Sequence, residues 1–275
     1  MAINFLCDFV IREWYMSEPP WHHFTGISVT RPMPIMSQGL PDALAVVHRQ
    51  IVDRFGAKRI RIYEAGGGSS SWLGQDILER SEIVVVDIDA TQLEHNHYAT
   101  TKILGDIQTY SFPQNSFDLI VCNNVIEHLH APDQAIRRFG DALAPMGLLV
   151  IGAPDPRSFS GFVTRFTPHW FHVWCYRVLL EAASAGKPGH APFPVVYHPI
   201  VEPTSLVSFA QRLGLRLVLQ HRYENPIFRF LEKKAHIGTM IRAITALLNL
   251  FAANGRDFRQ GDYHVVLEKP SAPGT

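Results

Sequence analysis

The sequence predicts an α/β protein built on a doubly wound, mostly parallel sheet, and three stretches carry that expectation. The first is RIYEAGGGSSSW (61–72), where residues from Arg59 to Glu64 read as a strand and Gly66-Gly67-Gly68 break it ahead of a helix over 70–81. The second is EIVVVDID (82–89), apolar on both faces, as suits a central parallel strand covered by helices on each side. The third is the alternation over 102–154: a short strand with Asp106, a proline turn, a strand at Phe117–Cys122, the polar tip Asn123-Asn124, a helix, and an apolar strand after Pro145-Met146-Gly147.

Bulk composition narrows the class. A chain of 275 residues with 47% hydrophobic content suits one domain with an elaboration and a sizeable core. Lys+Arg 25 balance Asp+Glu 25, so no overall positive field draws the chain to nucleic acid, and no nucleic-acid partner is expected. Cys7, Cys122 and Cys175 are odd in number and lack CxxC spacing, which argues against a disulfide framework or structural zinc and for a reducing, cytoplasmic setting. The N-terminal stretch is interrupted by Asp8, Arg12 and Glu13 and does not read as a signal peptide; no apolar run is long enough for a membrane span.

Residues 1–41 mix large aromatics with prolines and read as a helical lid followed by an extended arm, packing on the core or on a second subunit of a homodimer. His22-His23 fits an exposed or capping role better than a pocket. Leu44, Val47, Ile51 and Phe55 then show helical spacing, with Asp42 as N-cap and Gly56 as stop. Beyond the first strand, three residues without Cβ atoms let the backbone turn sharply against a ligand, and the following helix offers unpaired N–H groups, an arrangement suited to a nucleotide-like cofactor. Asp87, 21 residues beyond Gly66, can accept from both ribose hydroxyls at the tip of a second strand. The dinucleotide fingerprint wants a third glycine where Ser71 stands, which disfavours a nicotinamide-dependent oxidoreductase.

Glu64, Gly66 and Gly68, Asp87, the pair Gly105-Asp106, the phrase FDLIVCNNVIEHL at Phe117–Leu129 and LAPMGLLVI at Leu143–Ile151 occur in one order. Together they resemble class I S-adenosylmethionine-dependent methyltransferases, particularly the small-molecule group that includes ubiquinone and menaquinone biosynthesis methyltransferases. The resemblance covers about residues 42–154 and the closing strands. Ser70, where a third alternating glycine often stands, and Met146, in place of the usual glycine after proline, depart from it. It implies a Rossmann-like sheet of seven strands, the last (262–270) antiparallel beside strand six, and S-adenosyl-L-methionine as cofactor. In that arrangement Glu64 lies near the methionyl ammonium, Gly66 and Gly68 let the backbone pass the cofactor, Asp87 binds the ribose and Ile88 packs on the adenine. Asp106 accepts from the adenine amino group with Ile107 beside it, and the Asn123 carbonyl meets the ammonium.

Methyl transfer from a sulfonium requires alignment and exclusion of water, plus a base when the acceptor is a hydroxyl or carbon acid. His128, read as opening the helix after strand four, is the candidate base because an imidazole titrates near neutrality; the alternative is that Glu127 and His128 stabilise the helix or a subunit contact. The aromatic-rich insertion 155–203 falls where loops lie over the ligand crevice and reads as a substrate cap, with Arg165, His169, His172, Tyr176 and Arg177 available to hold a carboxylate. No acid or cysteine cluster completes a metal site around His169 and His172, so none is expected.

Residues 204–275 return to the core through a helix capped by Thr204 or Ser205 and ending at Gly214. An amphipathic helix over 231–252 follows, in which Lys233, Lys234 and Arg242 suit peripheral contact with an anionic membrane or a lipidic substrate, and packing on the fold or across a dimer is the other option. The expected activity is O-methylation of a small molecule at a carboxylate or hydroxyl. The alternatives are C- or N-methylation of a quinone-like, lipidic or sugar-linked precursor, and a non-catalytic binding module, against which the acids Glu64, Asp87 and Asp106 argue.

Overall fold

The computed structural model describes residues 40–179, 182–187, 192–196, 198–225, 235–250 and 257–271, so the expected N-terminal lid and His22-His23 lie outside the described residues. In chain order the core runs α1 (Leu40–Phe55), β1 (Arg61–Ala65), α2 (Gln75–Arg80), β2 (Glu82–Asp87), α3 (Ala90–Glu94), β3 (Thr101–Leu104), β4 (Phe117–Asn123), α4 (Pro132–Ala142) and β5 (Leu143–Pro154). It continues with α5 (Phe159–Phe166), α6 (His169–Leu179), α7 (Pro203–Arg212), β6 (Arg216–Tyr223), α8 (Ala235–Leu250) and β7 (Asp262–Glu268). The seven strands form one sheet of order β3-β2-β1-β4-β5-β7-β6. The first five are parallel, and β7 inserts antiparallel between β5 and β6.

Strand side chains alternate between two apolar layers, so a strand covered on both faces must be apolar throughout. In β2, Val84 and Val86 join Tyr63, Ile120, Phe139 of α4 and Leu206 of α7 on one face; Ile83 and Val85 join Ile62, Leu119, Val47 and Ile51 of α1 and Ile77 of α2 on the other. The helical spacing read in α1 is therefore the buried stripe itself.

Several helix ends differ from expectation. Asp42 sits in the first turn of α1 rather than capping it, whereas Gly56 does end it, with φ +56. Only Gln75–Arg80 of the expected helix over 70–81 is helical. The α7 cap is Glu202, whose carboxylate accepts from the Ser205 N–H at 2.8 Å, and not Thr204 or Ser205; Pro203 follows it, where a missing N–H costs nothing. In α8, Ile241 and Thr245 are buried while Met240, Ile244 and Leu247 are exposed, so the apolar stripe does not turn wholly inward.

The start of β5 accounts for a departure noted in the sequence. Met146 has φ +66, a left-handed conformation that penalises a Cβ, and its N–H donates to the Lys269 carbonyl at 2.7 Å. Gly147 has no such φ but is confined: a Cβ there would lie 2.8 Å from the carbonyl oxygens of Ala144 and Asp118. Replacing Met146 by glycine is expected to raise unfolding stability by ~0.5–1 kcal/mol, relieved strain outweighing added unfolded-state freedom. Urea denaturation checks this; a destabilised variant would show that the Met146 side chain contributes packing that its 44% exposure does not suggest.

Candidate active site

Parallel strands end at one edge of the sheet, and there β1, β2 and β4 deliver their terminal residues together. Glu64, next to last in β1, is buried. Its carboxylate accepts from the Tyr98 hydroxyl at 2.5 Å and from the Ser71 hydroxyl. Burial nevertheless dominates and pushes the carboxyl up to about 7, the two hydroxyls opposing the rise. The chain after Gly68 is a loop and not a helix because Ser71 turns inward to this carboxylate and also accepts from the Leu73 N–H. The position read only as a missing glycine is a ligand of Glu64.

The glycine turn is held on three sides. Gly66 (φ +71) donates its N–H to the Val86 carbonyl at 2.8 Å, and a Cβ there would lie 2.7 Å from a Val125 methyl carbon. Gly68 (φ +54) donates to Asp87 Oδ2 at 3.0 Å, and its carbonyl accepts from the Asn96 side chain at 2.6 Å. Asp87 also accepts the Asp89 N–H on Oδ1 at 2.9 Å. The expected ribose ligand is thus tied to the turn itself, with further lone pairs on each oxygen. Tyr98 and Asn96 were not identified from sequence; an Asn-x-Tyr pair in a loop carries no local pattern that would single them out.

Beside β2, the Gly105 N–H donates to the Asp87 carbonyl at 2.9 Å and brings Asp106 to the same edge. The Asp106 carboxylate accepts from the Gln108 N–H at 2.8 Å and from its amide group at 3.1 Å. Ile88 is 63% exposed, an apolar side chain left bare at the mouth. Ile107 instead packs inside the core and is not open to a ligand.

At the β4 tip the Asn123 side-chain oxygen lies 3.3 Å from His264 Nε2, over Gly152, where a Cβ would be 1.9 Å from that oxygen. His128 closes a 3₁₀ turn (Ile126–His128) and does not open a helix. Its Nδ1–H donates to the Pro194 carbonyl at 2.8 Å, leaving Nε2 buried without a hydrogen-bond partner among the described residues. Burial pushes the imidazole down to about 4 and the neighbouring Glu127 carboxyl up to about 8. Both are therefore neutral at pH 7, and their 3.6 Å separation is not an ion pair there.

The five cap residues do not converge. Thr167 spends its hydroxyl proton on the Val163 carbonyl, so His172 Nε2–H donates to that hydroxyl at 2.7 Å; His169 is exposed and stacks on His172 at 6.5 Å. Arg177 donates to the Ala185 carbonyl, and the exposed Arg165 lies over the Phe166 ring. The Tyr176 hydroxyl is pushed up by burial and by Asp262 of β7.

The mouth has the features a nucleoside-bearing cation would require: a buried carboxylate, a turn close to a neighbouring strand tip, two further acids and an exposed apolar side chain. Because the folded carboxyl of Glu64 is raised, the native state holds a proton that the unfolded chain has released, and this contribution to stability falls as pH rises from about 4.5 to about 7. Glu64→Gln is expected to be more stable than wild type at pH 8, by up to ~2 kcal/mol, with the difference shrinking toward pH 5. Thermal unfolding at the two pH values tests this; a constant difference would contradict the titration of Glu64.

Residues 64–151 match the family described as "Methyltransferase domain". Two proteins of Mycobacterium tuberculosis, strains CDC 1551 and H37Rv, both named probable S-adenosylmethionine-dependent methyltransferases, are 28% identical over 120 residues, which is 42% of this chain and 42% of theirs. The match thus spans less than half the length of these relatives. Among solved structures, an S-adenosylmethionine-dependent methyltransferase of Archaeoglobus fulgidus has a TM-score of 0.50 at 18% identity, covering 82% of this chain and 94% of that one. Another from Methanosarcina mazei has a TM-score of 0.50 at 12% identity, covering 81% and 98%; these two likenesses concern the fold. The family match begins at Glu64 and ends within β5, taking in every acid assigned above to the cofactor edge, and this span of the chain is similar to the methyltransferase domain of proteins named as S-adenosylmethionine-dependent methyltransferases.

Proposed function

We propose that the protein transfers a methyl group from S-adenosylmethionine to a hydroxyl of a small molecule. The observation that carries the choice of acceptor is His128: a neutral imidazole anchored through Nδ1–H to the Pro194 carbonyl, with no hydrogen-bond partner for Nε2 among the described residues. A carboxylate acceptor needs no base and would need converging cations, which Arg165, His169, His172 and Arg177 do not supply. Bound S-adenosylmethionine would provide an electrophilic methyl on a sulfonium.

The chain's own residues have separable tasks. Glu64 faces the ammonium, which favours its ionised form; the glycine turn admits the cofactor backbone; Asp87 takes the ribose hydroxyls; Ile88 covers the adenine, whose amino group meets Asp106. The Asn123 carbonyl adds an acceptor for the ammonium. His128 Nε2 takes the hydroxyl proton, and helices α5 and α6 form the cap that keeps water from the acceptor. The quinone-biosynthesis subgroup has no specific support among the relatives.

His128→Ala is expected to lower kcat by on the order of a hundredfold, with S-adenosylhomocysteine affinity unchanged. The wild-type rate should lose activity on the acid side near pH 4, where the depressed imidazole protonates, and not near 6.5. Steady-state assays across a panel of phenols, sugars and carboxylic acids test this. Wild-type turnover by His128→Ala would remove the base, and turnover restricted to carboxylic acids would overturn the acceptor class.

A cofactor ammonium beside Glu64 must pull down a carboxyl that stands at about 7 in the free protein. Binding at pH 6.5 is therefore expected to release a fraction of a proton, seen as a dependence of the calorimetric heat on buffer ionisation enthalpy and lost in Glu64→Gln. Equal heats in all buffers would place the ammonium elsewhere.

A further inference from the structure

Helices α5 and α6 leave large apolar side chains bare that the proposed chemistry does not use. On α5, Phe162 and Phe166 are 58% and 66% exposed and stand one turn apart with rings 4.5 Å between centroids. On α6, Trp170, Trp174 and Val178 are 69%, 48% and 52% exposed and recur every fourth residue, which places them on one helix face. Single exposed apolar residues need no account, but five large ones on two consecutive short helices do.

The composition indicates what this face meets. Neither FSGFVTRF nor HWFHVWCYRVL contains an acidic residue, while Arg165, His169 and Arg177 are exposed on the same two helices. Aromatic side chains flanked by cations without anions suit an anionic bilayer, where rings enter the headgroup and acyl boundary and the cations meet lipid phosphate. Helix α8 repeats the pattern, with Met240, Ile244, Leu247 and Leu250 exposed and no acid in AHIGTMIRAITALLNL. The two regions meet through one turn: Phe159 of α5 donates its N–H to the Phe258 carbonyl at 3.2 Å, and the Phe258 N–H donates to the Asn249 side chain of α8 at 2.9 Å. Among the described residues no helix is long and apolar enough to cross a membrane.

We propose that the aromatic face of α5 and α6 docks the protein on anionic lipid membranes. The test is co-sedimentation of the full chain with vesicles of phosphatidylcholine alone and of equimolar phosphatidylcholine and phosphatidylglycerol. Binding is expected to the anionic vesicles, weakening with added salt. It should fall by about tenfold or more in Phe166→Ser/Trp170→Ser, two residues whose exposure leaves the core undisturbed; an unchanged melting temperature confirms folding. Wild-type chain that stays in the supernatant with anionic vesicles would overturn the proposal, as would equal binding by the double variant. A wild-type dimer that the double variant dissociates, with no vesicle binding, would assign the face to a second copy of the chain instead.

Discussion

The burial of one carboxylate organises the mouth of this sheet. Glu64 lies in β1, flanked by parallel neighbours on both sides, where solvent cannot reach it, and desolvation raises its proton affinity despite the hydroxyls of Ser71 and Tyr98. Those two hydroxyls come from separate loops. Ser71 draws the segment after the glycine turn inward and delays α2 until Gln75, and Tyr98, whose single hydroxyl proton goes to Glu64, sets its oxygen 3.2 Å from the Gly67 carbonyl. Asp87 and Asn96 then fix Gly68 from the other side. A site preorganised in this way keeps its acceptors in place before a ligand arrives, and a buried carboxyl held by the neutral hydroxyls of Ser71 and Tyr98 is well prepared for a cation.

The sheet was legible because its rules are local. A strand covered on both faces has to be apolar throughout, as β2 is, and a helix over a sheet has to repeat its apolar residues with helical spacing, as α1 does. Of the acids at the mouth, Asp87 was legible from its place at the end of an apolar strand, whereas Glu64 and Asp106 were picked out by the family resemblance. The helix ends were harder. Pro203 disfavours a helical conformation in the residue before it and is itself well placed at a first helical position, so Glu202 could have been read as the α7 cap by giving proline more weight than serine and threonine.

What the sequence did not disclose is direction. Arg177, His172 and Arg165 are suitable for a carboxylate by residue type, yet each is directed to a carbonyl, a hydroxyl or a ring of its own segment, because side-chain orientation depends on how α5 and α6 pack. The same holds for α8, whose wide apolar stripe could not say which part faced inward. Met146 shows the converse case: a departure from the family pattern that the backbone absorbs with a left-handed residue while leaving the adjoining Gly147 confined between two carbonyls.

On the proposed function, this mouth binds S-adenosylmethionine through the β1 and β2 acids and the glycine turn between them. Calorimetric titration of the full chain with S-adenosylmethionine, with NAD in parallel, tests it most directly. One saturable site for S-adenosylmethionine, greatly weakened in Asp87→Ala, and no response to NAD are the expected results. Absence of S-adenosylmethionine binding by the folded wild-type chain, or equal affinity in Asp87→Ala, would contradict it.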